Sequence, residues 1–197
     1  MRWEHLFDDL ESQLEHELGA EEVDLLAEEE RLRLGRLALR DRLRAMMGRS
    51  TEDAPLRLML VDGSRLALNL GAVGRDWVAG EQTGHAGSRR SCVVPTASIA
   101  ALFPDAEQLR ASMSEPADGA AGSLASRLGL AFVLRDLCRR RAVLDLATAN
   151  EVLHGTIDRV ARDHVDLAEH EPGTPRRESA VRAVRLVPLD RIVSVRF

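Results

Sequence analysis

The chain contains an internal repeat, which restricts it to folds that one short segment can form twice. Residues 73–79 read VGRDWVA and residues 160–166 read VARDHVD, 87 positions apart. The same offset aligns Leu70 with Ile157. A duplicated unit is therefore predicted.

The match continues after a six-residue insertion in the second copy. VVPTASIAAL at 93–102 aligns with LVPLDRIVSV at 186–195, so that Pro95 aligns with Pro188. Each copy also follows a helical pattern, LALRDRL before the first and FVLRDLC before the second. The unit is therefore predicted to be a helix followed by the repeated segment.

Period and turn residues predict five short strands in each unit. In the first copy, RLMLVD ends at Asp62-Gly63, a dipeptide that favours a tight hairpin turn. The following SRLALNL alternates polar and apolar residues, as a half-buried strand does. Five strands with few residues predict a small closed barrel, because closure removes exposed strand edges.

This helix followed by five strands resembles the Sm-like fold of the LSm and Hfq superfamily. The predicted fold class is α+β, with N-terminal helices followed by two tandem five-stranded Sm-like or SH3-like barrels, each preceded by a helix. The predicted domains are a helical segment at 1–50, a first barrel at 51–103, a linker at 104–122, and a lead-in helix with a second barrel at 123–197.

The Sm-like resemblance implies RNA binding through a motif of Asp, one or two apolar residues and Asn, followed later by Arg-Gly or Lys-His. Asp76 and Asp163 match the first position, but neither copy supplies the Asn or the Arg-Gly pair. The base-binding pocket is therefore not carried over. The chain also resembles actinobacterial proteins often labelled as Fis-type regulators, although its C-terminal VRLVPLDRIVSVRF predicts strand where that label implies helix-turn-helix.

Arginines in the polar loops are the candidates for binding anions or RNA, because a guanidinium matches phosphate or carboxylate. All 27 basic residues are arginine, so a compositional bias explains the same loops without a function. Aromatic residues make up only 3% of the chain, which leaves little surface for base stacking. The candidates are Arg89, Arg90, Arg176, Arg177, Arg182 and Arg185.

The acidic N-terminus predicts an amphipathic helix, and a second helix is predicted from about Glu21 to Met47. Apolar side chains recur at spacings of three and four along the first helix. Two interpretations remain open, a helix that packs on the barrel core and a helix that binds a partner protein's groove. The partner-binding candidates are Trp3, Leu6, Phe7, Leu10 and Leu14.

Polar residues cluster in VARDHVDLAEH at 160–170 and raise the possibility of a metal or acid/base site. His164 aligns with Trp77 and Asp166 with Ala79, so the repeat accepts residues that cannot bind metal. A solvated strand face is the favoured interpretation. Cys92 and Cys138 show no zinc spacing, and no catalytic motif is recognised. We therefore expect no metal, no cofactor and no enzymatic activity.

Charge is segregated along the chain, whose net charge is −5. Residues 1–30 hold twelve acids and one arginine, whereas residues 31–50 hold seven arginines and one acid. No apolar run is long enough to span a membrane, and the N-terminus is not a targeting signal, so a cytoplasmic location is expected. A homo-oligomer formed through strand edges is also possible.

The predicted function is that of a non-catalytic adaptor or regulator that binds macromolecules, with protein partners favoured over RNA. RNA binding through the loop arginines is the alternative, and a metal-dependent hydrolase at His164 is the third hypothesis. Ionic strength distinguishes the first two, because phosphate contacts weaken steeply with salt.

Overall fold

A computed structural model describes residues 23–82, 89–114, 124–174 and 176–197. The chain divides into two compact units, one of residues 1–38 and one of residues 39–197. Among the described residues, no helix is long and apolar enough to cross a membrane.

The described part of the first unit is a helix, α1, over residues 23–35. Its charged side chains pair along the helix, as Arg31 does with Glu28 at 3.3 Å and Arg33 with Glu30 at 2.6 Å. The sequence predicted one helix from about Glu21 to Met47. The structure has two helices there instead, since α1 ends at residue 35 and the next helix begins at Leu39.

The described residues of the second unit form three further α-helices and ten strands. The helices are α2 (Leu39–Met47), α3 (Ala106–Met113) and α4 (Leu130–Arg139). The strands are β1 (Leu56–Leu60), β2 (Arg65–Val73), β3 (Trp77–Gln82), β4 (Arg90–Pro95), β5 (Ile99–Phe103), β6 (Val143–Ala147), β7 (Val152–Val160), β8 (His164–Glu169), β9 (Ala183–Pro188) and β10 (Ser194–Arg196). We call α2 with β1–β5 the first half and α4 with β6–β10 the second half.

The prediction of two closed barrels is wrong. All ten strands form one open antiparallel sheet in the order β5-β1-β2-β3-β4-β10-β6-β7-β8-β9. Within each half the order is the same, since β5-β1-β2-β3-β4 corresponds to β10-β6-β7-β8-β9. The sequence correctly predicts five strands for each copy, and the hairpin at Gly63 has the expected positive φ of 82°.

The halves join through their edge strands instead of each closing on itself. Strand β4 pairs with β10, with Val93 opposite Val195 and Cys92 opposite Arg196. Ser91 and Phe197 exchange backbone hydrogen bonds of 3.1 and 3.0 Å at the end of the same ladder. Closure of two barrels would pair the edge backbone groups of β4 within the first half and those of β10 within the second half. Here β4 and β10 pair with each other instead, so these groups have hydrogen-bond partners across the junction.

Local geometry shows the duplication as clearly as strand order does. The β2–β3 register shifts between Leu70 and Ala72, and the β7–β8 register shifts between Ile157 and Arg159, 87 residues later in both cases. Both bulges re-aim the strand at the same point of the unit. Positions in one half therefore have defined equivalents in the other.

A helix covers the sheet in each half. Helix α2 buries Leu43 and Met46, and α4 buries Leu130, Leu134 and Leu137. Full burial of one such side chain contributes about 1.5–3 kcal/mol. The cores extend across the junction, because Trp77 and Val93 of the first half belong to the hydrophobic cluster of the second.

Helix α3 lies within the segment predicted as a linker. Asp105 accepts backbone hydrogen bonds from Glu107 and Gln108, both at 2.8 Å, and the Gln108 side chain accepts from the Asp105 backbone. This reciprocal arrangement is a capping box, which defines where the helix begins. The buried Gln108 also donates to the Ala54 carbonyl at 2.9 Å.

Candidate protein-docking site

The turn between β2 and β3 holds the start of helix α4. The Asp76 carboxylate accepts a 2.7 Å hydrogen bond from the backbone N–H of Leu130, the first residue of that helix. The Leu128 carbonyl accepts from the Arg75 backbone and from Trp77 Nε1, both at 3.0 Å. We call Arg75, Asp76 and Trp77 the filled helix site. It belongs to the first half and is occupied by the second.

The contact at the filled helix site is close, so that a side chain at Gly129 would displace the flexible end of Arg75. A Cβ on Gly129 would lie 2.7 Å from Arg75 Nη2 and 3.3 Å from Asp76 Oδ2. Asp76 caps α4 from a distant part of the chain, because Gly129 has no side chain to do so. The negative charge of the Asp76 carboxylate also interacts favourably with the positive end of the α4 helix dipole.

The second half repeats the backbone of this turn. The Gly74 N–H donates to the Trp77 carbonyl at 2.8 Å, and the equivalent Ala161 N–H donates to the His164 carbonyl at 2.9 Å. The Asp163 carbonyl likewise accepts from the Leu189 N–H at 2.7 Å. Arg162, Asp163 and His164 are thus the structural equivalents of the filled helix site.

In the second half these residues line an open groove. Its volume is about 600 Å³, and its lining consists of residues 162–164, Leu186 and residues 188–190. A smaller cavity of about 320 Å³ lies on the other side of Leu186 and Pro188, against the β6–β7 turn. We call the larger cavity the open groove.

Exposure differs sharply between the equivalent positions. Val93 on β4 is 1% exposed, whereas its equivalent Leu186 on β9 is 67% exposed. Likewise, Pro95 on β4 is buried, whereas its equivalent Pro188 on β9 is exposed. The second half covers Val93 in the first half. Among the described residues, nothing covers the apolar side chains of Leu186 and Pro188 in the second half. Such uncovered apolar side chains are typical of docking surfaces.

The polar cluster of the sequence is distributed along β8 and its neighbours. His164 Nδ1 donates to Asp163 Oδ1 at 2.7 Å, and this bond lowers the pKa of Asp163 below its usual value. His170 is buried, and its Nε2 lies 3.0 Å from the Thr156 hydroxyl. Within the described ranges, no group of three or more His, Cys, Asp or Glu side chains is placed to hold a metal ion. The cluster serves local hydrogen bonding.

A second histidine contact lies near the junction of the halves. His154 Nδ1 lies 2.6 Å from Asp145 Oδ1, and Asp145 also accepts from Arg90 at 2.9 Å. The rings of His154 and His170 meet edge-on at 5.6 Å. Asp145 therefore links β6 to the first residue of β4 across the junction.

The arginine candidates are placed beside carboxylates. Five of the six form ion pairs: Arg89 with Glu52, Arg90 with Asp145, Arg176 with Asp158, Arg182 with Glu171 and Arg185 with Glu169. Arg176 is bidentate, with contacts of 2.7 and 2.5 Å that raise its pKa above the usual value. Arg177 is exposed. Arg89, Arg90 and Arg176 of the twin pairs thus bind three different carboxylates.

Comparison with protein-family models, with curated proteins and with solved structures finds no match to this chain. No relative therefore supports the resemblance to Sm-like proteins or to proteins labelled as Fis-type regulators. That relationship stays a prediction from the sequence.

The partner-binding candidates Trp3, Leu6, Phe7, Leu10 and Leu14 lie outside the described residues. The sequence analysis did not single out Leu186, Leu189 and Asp190 as site residues. The signal that could have found this region is the aligned pair in which a polar His164 replaces Trp77, because Leu186 and Val93 are both apolar and differ only in the structure.

Proposed function

We propose that this chain is a non-catalytic, cytoplasmic adaptor or regulatory protein that binds protein partners. The observation that carries the proposal is the apolar surface of helix α1. Leu25 and Leu32 are 61% and 51% exposed. They lie seven residues apart, so they share one face of the helix, and Val23 and Leu26 extend the exposed apolar surface.

Such a helix fits recognition by a hydrophobic groove on another protein. Peptide helices of this kind bind through apolar side chains at spacings of three, four and seven residues. Arg31 pairs with Glu28 and Arg33 with Glu30 along α1, so these charges have partners within the helix, and the exposed leucines are the surface that we propose for a partner. Binding through these leucines would be insensitive to salt.

The charge arrangement favours protein over RNA. Arg89, Arg176 and Arg185 already have carboxylate partners, so a phosphate must compete with a neighbouring negative charge. RNA binding by the loop arginines remains the alternative function, and it predicts a steep loss of affinity with ionic strength.

The hydrolase hypothesis receives little support from geometry. His164 contacts Asp163 at 2.7 Å and Asp166 at 3.7 Å on an exposed strand face. The equivalent position in the first half is Trp77, whose side chain packs in the core. We propose that the His164 group contributes to surface structure and not to catalysis.

Affinity purification of the tagged full-length protein from native lysate, with and without nuclease, tests the proposal. We expect partner proteins that survive nuclease and high salt but are lost from a Leu25→Glu/Leu32→Glu variant. The matched control is the Arg89/Arg90/Arg176/Arg177→Ala variant, which should keep the same partners. Partners that disappear with nuclease and with the arginine variant would establish the RNA alternative instead.

A further inference from the structure

The junction of the two halves has two complementary faces. One face is strand β4 with the filled helix site, and it belongs to the first half. The other face is strand β10 with the start of α4, and it belongs to the second half. Because the halves are equivalent, each half carries its own version of both faces. Within the described part of the chain, the junction buries the first face of the first half and the second face of the second half, and the other two faces are left free.

The unused version of the first face is on the second half. Strand β9 is the equivalent of β4 and ends the sheet, where β8 is its one neighbour among the described strands. The open groove with Asp163 is the equivalent of the filled helix site. Leu186, at the centre of this surface, is exposed.

The unused version of the second face is on the first half. Strand β5 is the equivalent of β10 and ends the other side of the sheet, where the described part of the chain pairs it with β1 alone. Leu39 begins α2 and lies four residues before the buried Leu43, as Leu130 begins α4 and lies four residues before the buried Leu134. We match the two helices by this burial pattern, because the LALRDRL and FVLRDLC match alone would pair Leu39 with Leu134. Leu39 is 45% exposed, whereas Leu130 is buried at 6%. The helix start that α4 buries is therefore left open in α2.

We propose that a second copy of this chain docks on strand β9 and the open groove through its strand β5 and the start of its helix α2. The second copy repeats the contact that joins the halves within one chain. The proposal goes beyond the adaptor function, because it concerns self-association and uses a surface separate from α1.

The chemistry of the open groove suits this occupant. Asp163 is the equivalent of Asp76, so its carboxylate is placed to accept the Leu39 backbone N–H and to stabilise the positive end of α2. Leu186 and Leu189 offer apolar surface to the Leu39 side chain. The edge backbone of β9 offers unpaired hydrogen-bonding groups to β5.

Register fixes which residues meet. Val195 pairs with Val93 and Arg196 with Cys92 inside the chain. The equivalent intermolecular pairs are Leu102 with Leu186 and Phe103 with Arg185. The next position differs, because Pro104 replaces Phe197 and has no N–H to donate to Val184. The intermolecular ladder thus has one hydrogen bond fewer than the β4–β10 ladder and is expected to be weaker. Because separate chains associate without a covalent link, the assembly should also depend on protein concentration.

The contact is head-to-tail, since a β9 face binds a β5 face and each bound copy leaves one of each kind free. Heterologous contacts build rings or open chains of subunits, unlike the closed dimer of a twofold contact. Assemblies larger than a dimer are therefore expected.

Sedimentation velocity over a concentration series tests this proposal with four proteins. The full-length wild type should grow in mass beyond a dimer. Leu186→Glu and Leu39→Glu should each weaken association by about tenfold or more, because a carboxylate replaces a buried apolar contact. Val61→Glu, on an exposed turn residue, is the matched control and should behave as the wild type.

Mixing the two defective variants distinguishes the head-to-tail arrangement. Leu39→Glu keeps an intact open groove, and Leu186→Glu keeps an intact α2 start, so an equimolar mixture should form one-to-one dimers that grow no further. A wild type that stays monomeric, or variants that associate as the wild type does, would overturn the proposal. Partner capture through α1 would be unaffected by either result, so the adaptor function stands or fails separately.

Discussion

Val93 and Leu186 occupy equivalent positions on strands β4 and β9, yet Val93 is covered by the other half and Leu186 is open. The same contrast holds for Trp77, which packs in the core, and for His164, which lines the open groove. One unit thus appears twice in the chain with a filled and an unfilled version of the same contact.

Removal of the Asp76 carboxylate should destabilise the chain. Asp76→Ala leaves the Leu130 N–H without its 2.7 Å acceptor at the start of α4, so we expect a loss of about 1 kcal/mol in the free energy of unfolding. Urea unfolding measures this change. The matched control is Asp163→Ala at the equivalent exposed position, which should cost clearly less stability than Asp76→Ala in the monomer. Equal effects of the two substitutions would contradict the assignment of Asp76 as a helix cap.

Ser50 should be a further sensitive position. Its buried hydroxyl donates to the Leu68 carbonyl at 2.9 Å and accepts from the Leu56 and Leu70 N–H groups at 3.3 and 3.1 Å. Ser50→Ala leaves buried backbone groups without this partner, so a loss of about 1–3 kcal/mol is expected in thermal or urea unfolding. Ser114→Ala removes an exposed hydroxyl and should be close to neutral.

The pH dependence of Asp163 should report its bond with His164. The hydrogen bond from His164 lowers the folded-state pKa of Asp163 below the usual 3.8. The stability that Asp163 contributes is therefore present above pH 3.8 and is lost as the pH falls through the lower folded-state pKa. NMR titration of the Asp163 carboxyl carbon should show this depressed pKa, and His164→Ala should return it towards 3.8. An unchanged pKa in the variant would refute the stated cause.

The two cysteines should react at different rates. Cys92 is fully buried on β4, and burial raises the pKa of its thiol to about 11. Cys138 is partly accessible. A thiol reagent at pH 8 should modify Cys138 in the folded protein and reach Cys92 only after unfolding, since the thiolate is the reactive form. Mass spectrometry of peptides resolves the two sites, and prompt labelling of Cys92 would show that the β4–β10 junction opens readily.

Local patterns were sufficient to predict the strands. Alternating residues and turn dipeptides such as Asp62-Gly63 depend on neighbours in the chain, so ten strands and their hairpins could be derived from the sequence. The repeat also predicted that both halves share one strand order. The prediction of barrel closure was wrong because closure depends on which edge strand pairs with β4. That pairing joins Val93 to Val195, which are 102 positions apart in the sequence, so local patterns do not reveal it.

The candidate site was less predictable for the same reason. The importance of Asp76 depends on the distant Leu130, and no spacing rule connects the two positions. The arginines were easy to find by type, but their carboxylate partners, such as Asp158 for Arg176, became visible only in three dimensions. The aligned difference between Trp77 and His164 was interpreted from the sequence as a solvated strand face, and its place in the open groove became visible only in the structure.

The central claim is that the second half keeps open a contact that the first half has filled. Cysteine cross-linking tests it most directly, with Phe103→Cys and Arg185→Cys placed on separate chains in a Cys138→Ser background. These positions are equivalent to Arg196 and Cys92, whose Cα atoms face each other across the β4–β10 ladder. Facing residues of a pair without mutual hydrogen bonds lie about 4.5 Å apart, within the range for a disulfide.

We predict that mixing the two proteins under mild oxidation gives a disulfide-linked heterodimer. Val61→Cys mixed with Arg185→Cys is the control and should stay unlinked, because the Val61 turn lies outside the proposed contact. Failure of the Phe103 and Arg185 pair to cross-link, or equal cross-linking of the Val61 control, would contradict the claim that a second copy occupies the β9 edge.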